Sequence, residues 1–85
     1  AFMSCAGIAP SGLVTDASVQ EIETKRLMIE HSRELFLLAD YTKFSAAGQV
    51  FLTNLSPGNN IITDSKADGE KLEALKSLGV RISVV

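Results

Sequence analysis

The apolar positions fall into short runs and one-sided stripes. Leu35-Phe36-Leu37-Leu38-Ala39 is unbroken, which predicts a strand buried on both faces, as in a parallel sheet covered by helices. Ile61-Ile62-Thr63 predicts another strand, and Arg81 to Val85 predicts a closing one. Val50 to Thr53 reads as a short strand, antiparallel or at an edge. Ala1 to Cys5 reads as the end of a strand, and Gly7, Pro10 and Gly12 then mark a loop.

Two stripes read as helices. Ser18-Val19-Gln20-Glu21 has capping-box spacing, and a helix from Val19 to Arg33 comes next. Ile22 and Ile29 share its inner face, Lys25 lies at that face's edge, and Leu27 points elsewhere. Asp68 caps a second helix, Gly69 to Leu78, with Leu72, Leu75 and Leu78 inward. Gly79 suits the left-handed residue that ends it. The order β-α-β-β-β-α-β predicts an α/β fold with a mainly parallel sheet, flanking helices and right-handed crossovers.

Composition narrows the function classes. At 85 residues the chain makes one domain at most. The formal charge of −2 argues against a nucleic-acid surface, which needs clustered Lys and Arg. The single cysteine, Cys5, excludes an internal disulfide and fits a reducing, cytoplasmic compartment. No apolar run reaches the ~20 residues of a membrane span. Ala1 leads directly into an apolar stretch and Val85 ends inside a predicted strand. We therefore expect residues 1–85 to be part of a longer polypeptide.

The candidate chemistry sits where strands end, because ligands of open α/β sheets bind beyond the carboxyl ends of the strands. Asp40, Thr42 and Lys43 lie just after the central strand. Lys43 either gives a point charge to a phosphate, helped by the Thr42 hydroxyl and local amides, or lies on a solvated loop with Asp40 as a cap. Gly7 either admits a ligand close to the backbone or simply makes a turn. Lys25 either snorkels outward or aims at an anion. Asp64 either N-caps the next turn or lines the site. Cys5 and His31, the only thiol and imidazole, lie a helix apart in sequence and make neither a catalytic pair nor a zinc set. No cofactor, metal or catalytic residue is expected.

Read in order, Phe2-x-x-x-x-Gly7-Ile8, Gly12-Leu13-x-Thr15, Glu21-x-Glu23-x-Lys25-Arg26-x-Met28-Ile29, Leu38-Ala39-Asp40-x-x-Lys43-Phe44 and Ile61-Ile62-Thr63-Asp64 resemble the C-terminal sensor domain of DeoR-family bacterial repressors. The resemblance implies a partial Rossmann-like sensor domain, similar to ribose-5-phosphate isomerase, glucosamine-6-phosphate deaminase and the CoA transferases. It implies a phosphorylated sugar as effector, and operator DNA bound only through an N-terminal winged helix-turn-helix that this chain lacks. By matching position it assigns ligand binding to Lys25, Asp40, Lys43 and Gly7, with Thr42 beside them. Where the family usually carries Gly and then Asp, Asn or Gly, this chain has Ser4 and Ala6. The acidic cluster of the related isomerases is absent from Ser4-Cys5-Ala6-Gly7, and enolisation needs a positioned carboxylate base. The expectation is a sensing and oligomerisation domain that binds without turnover. The alternatives are an isomerase-like enzyme fragment and an interaction module with a decayed pocket. Uncovered edges and apolar surface predict self-association, for example by sheet extension.

Overall fold

The computed structural model describes residues 1–85. In chain order the elements are β1 (Phe2–Ser4), β2 (Gly7–Ile8), β3 (Leu13–Asp16), α1 (Val19–His31), β4 (Phe36–Leu38), a 3-10 turn (Tyr41–Phe44), β5 (Val50–Asn54), β6 (Asn60–Thr63), α2 (Gly69–Ser77) and β7 (Arg81–Val84). β1, β4, β6 and β7 form an all-parallel sheet in that spatial order. The α/β class and the parallel sheet agree with the sequence pattern.

Two features depart from it. Gly7–Ile8 and Leu13–Asp16, read as loop, are strands of a second, antiparallel sheet with order β2-β3-β5. Pro10 and Gly12 mark only the tip of that hairpin, where Gly12 N–H donates to Ala9 O at 2.9 Å. Ile8 and Val14 are fully buried there, and strands this short carry too little alternation to be read in advance. The second departure concerns β4. Leu37 is fully buried but Leu38 is 45% exposed, so only one face of the strand is covered.

The topology explains this asymmetry. Each strand of the parallel sheet is added on the same side of the last. Right-handed crossovers then pass over one face only. That face carries Met3, Leu37 and Ile61, which pack into one core with Ile22, Leu52, Leu72 and Leu75. Burying each large aliphatic side chain contributes about 1.5–3 kcal/mol. The other face shows Phe2 stacked on Phe36 with ring centroids 4.7 Å apart, beside Leu38 and Ile62.

The helix ends obey local chemistry. Ser18 accepts from Gln20 N–H at 3.2 Å, one residue short of the capping-box amide. Asp68 accepts from Glu70 N–H at 3.1 Å. Gly79 adopts φ 89°, as its place after α2 requires. Leu78, expected inward, serves instead as the C-cap and is partly exposed.

Candidate functional site

The carboxyl end of β4 runs straight into the 3-10 turn, and Asp40 organises that turn. Its Oδ1 accepts from Thr42 N–H at 2.9 Å and from the Thr42 hydroxyl. These contacts, the hydroxyl first, hold the Asp40 carboxyl below its ordinary range. Asp64, at the end of β6, accepts from Tyr41 N–H at 3.2 Å and from Lys66 N–H at 3.0 Å. It therefore caps its own turn and also ties β6 to the turn after β4. The Tyr41 and Thr42 amides are taken up within the protein, and the Thr42 hydroxyl donates to Asp40 rather than outward.

Lys43 is different. It is half-buried, and its ammonium makes no ion pair or hydrogen bond within the chain. The turn that carries it packs against β2. Its charge is felt at the Cys5 thiol, at the end of β1. The backbone amides of Ala46 and Ala47, just downstream, donate to no protein acceptor. An unpaired ammonium near free amides is a chemistry suited to a phosphate or carboxylate.

Gly7 lies beside this group, but the close approach it permits is internal. A Cβ there would sit 2.2 Å from Ala46 O and 2.8 Å from Ala47 Cα. The missing side chain thus lets the segment after Lys43 lie directly on β2. Lys25 reaches the end of β1 from α1. Its ammonium donates to Asp16 Oδ2 at 2.5 Å and to Ser4 O at 3.1 Å. Burial, with Asp16 adding to it, pushes the Cys5 thiol up to about 11.

A crevice of about 300 Å³ opens at the carboxyl ends of the parallel strands, on the uncovered face. Leu38, Asp40, Ile62, Asp64 and Val85 line it with the ends of their strands. The turn after β4 brings Lys43 and Gly7 together and Lys25 reaches the end of β1, while Asp40 lines the crevice and makes no ion pair, though the Lys43 charge also lowers its carboxyl. Sequence reasoning missed Asp16. It meets Lys25 across two elements, and no local spacing signals that pairing.

Residues 1–65 match the family described as the DeoR C terminal sensor domain. The chain is similar to a putative sgc region transcriptional regulator of Escherichia coli (strain K12), with 37% identity over 65 residues, covering 76% of this chain and 25% of that protein. It is 29% identical over 84 residues to the uncharacterized HTH-type transcriptional regulator YulB of Bacillus subtilis (strain 168), covering 99% of this chain and 33% of that protein. It is 24% identical over 82 residues to the glycerol-3-phosphate regulon repressor of Escherichia coli (strain K12), covering 96% and 32%. The chain thus spans a third or less of the length of these relatives. No helix in it is long and apolar enough to cross a membrane. A match over residues 1–65, together with a parallel sheet whose strand ends carry the polar groups, places this chain in the DeoR C-terminal sensor domain family of transcriptional regulators.

Proposed function

We propose that this chain is the later part of the effector-binding domain of a cytoplasmic sugar-responsive repressor, and that its effector is a small phosphorylated sugar. The observation that carries this reading is the unpaired, half-buried Lys43 ammonium at the turn after the central strand. An ammonium without a protein partner is free to make charge-assisted hydrogen bonds to a phosphate. Lys43 supplies the charge and the Ala46 and Ala47 amides add donors. Asp40 accepts from sugar hydroxyls through its unengaged Oδ2, with Thr42 fixing its orientation. Among the relatives, one is named as a glycerol-3-phosphate regulon repressor and another as an L-fucose operon activator. Both names concern small polyhydroxy compounds, which fits the reading.

Lys25 and Gly7, expected to touch ligand, support the site from behind. Lys25 holds the Ser4 carbonyl, and Gly7 seats the Ala46–Ala47 segment. The domain binds without turnover, since no free carboxylate stands at the Cys5 loop to act as a base. Asp16 is already bonded to Lys25 and the Ala17 amide. DNA contact falls to an N-terminal domain of the longer regulator, and effector binding shifts that regulator between two arrangements by favouring one of them. Copies associate through surfaces this chain leaves open.

A thermal-shift panel on the intact regulator tests this. Phosphorylated sugars are expected to raise the melting temperature and their unphosphorylated counterparts to leave it unchanged. Equal shifts from both sets would remove the anion site. Robust turnover of a sugar phosphate in a coupled isomerase assay would overturn the binding-only reading.

A further inference from the structure

The segment that carries Lys43 and the free amides is held by side chains from elsewhere in the chain. Lys71, half-buried in the first turn of α2, donates from its ammonium to Phe44 O at 2.9 Å. Phe44 is the buried last residue of the 3-10 turn. At the turn's first residue, Tyr41 N–H donates to Asp64 Oδ2, at the end of β6. The β6–α2 stretch thus grips the turn at both ends, with Lys43 between the two holds. Further on, Gly48 N–H donates to Thr15 Oγ1 at 2.7 Å. Between Phe44 and Gly48 the only backbone N–H bonded within the chain is that of Ser45, 3.4 Å from Thr42 O. The free Ala46 and Ala47 amides therefore hang between two side-chain anchors. Fixing a long lysine costs rotamer entropy, and one carbonyl returns little net stability. Lys76, on the same helix, stays at the surface beside Glu73. What distinguishes Lys71 is the place it holds.

We propose that Lys71 is a positioning residue for effector binding: its bond to Phe44 O fixes the end of the turn and so sets the direction of Lys43 and of the Ala46 and Ala47 amides. This rests on the reading of Lys43 as the anion holder. Lys71 touches no ligand; it acts through the Phe44 carbonyl. Without it the turn keeps its hold at Tyr41 and loses the one at Phe44.

The test is calorimetry of the intact regulator with inorganic phosphate as probe. Lys71→Met removes the donor and should lower phosphate affinity by about three- to thirtyfold, the usual range for a side chain that acts on a ligand through a neighbour. Lys71→Arg can still donate to a carbonyl and should recover most of that loss. Lys76→Met removes the same charge from the same helix and should leave the affinity unchanged. Amide hydrogen exchange without ligand reads the hold itself. The Lys43 and Ser45 amides, bonded to Asp40 O and Thr42 O, should exchange faster in Lys71→Met, while Leu72 and Leu75 of α2 keep their rates.

A loss of affinity with unchanged exchange in the turn would make Lys71 a phosphate ligand and overturn the proposal. An equal loss in Lys76→Met would trace the effect to general charge and overturn it too. Failure of the parent reading looks different. Weaker binding in Lys43→Ala with none lost in Lys71→Met overturns this proposal alone, whereas equal phosphate affinity in Lys43→Ala and the unaltered protein overturns both.

Discussion

At the scale of single residues, the same side-chain type has opposite meanings in two places. Lys25 is bonded to Asp16 and the Ser4 carbonyl, whereas Lys43 has no ion pair or hydrogen-bond partner in the chain. Sequence spacing puts both at the edge of a site; only the fold distinguishes a structural lysine from an available one. Gly7 makes a similar point. Its lack of a side chain serves backbone contact with Ala46 and Ala47. Gly7→Ala should therefore destabilise the domain by about 1–3 kcal/mol, the usual penalty of overpacking. It should also weaken phosphate binding, because the free amides move. Denaturant unfolding of the variant checks the first effect, and an unchanged midpoint would show that the segment after Lys43 yields easily.

At the scale of elements, local signals and tertiary signals separate cleanly. Helix α2 is legible because its cap, stripe and terminal glycine all agree: Asp68, then Leu72 and Leu75, then Gly79 at φ 89°. Replacing Asp68 with Ala should cost about 1 kcal/mol. For a domain this small, that lowers the melting temperature by about 4–8 °C. A thermal melt showing no change would mean that tertiary packing alone holds the first turn. The hairpin of β2 and β3 is not legible. Its strands are two and four residues long, and their stability comes from pairing with β5, far along the chain. The Asp16–Lys25 pair is hidden for the same reason, since it joins β3 to α1. By contrast, the Asp40 turn can be read from the sequence, because a carboxylate leading into Thr and Lys after a buried run is a local pattern.

At the scale of the whole molecule, the winding direction of the sheet decides what is left open. Four parallel strands added on one side put every connection over one face. The five-residue apolar run around β4 is suited to cover on both faces, yet Leu38 and Phe2 remain 45% and 65% exposed. The run reports a strand, but the expectation of cover on both faces fails because every crossover lies over one face. Exposed apolar surface of this kind favours association. Light scattering at high concentration should show self-association of the 85-residue chain. Leu38→Lys should reduce it without loss of fold, whereas a monomer at every concentration would contradict the expectation. The outer rim of β5 is less open, because Arg26 donates to Phe51 O at 2.5 Å and covers part of that edge.

The central claim is that one unpaired ammonium beyond the central strand holds the phosphate of an effector. Calorimetry of the intact regulator and its Lys43→Ala variant, titrated with the sugar phosphate that most raises the melting temperature, tests it most directly. The account predicts affinity lower by roughly ten- to a hundredfold, the usual worth of a hydrogen bond to a charged group, with the melting temperature of the unliganded protein nearly unchanged. Equal affinity in both proteins would contradict it.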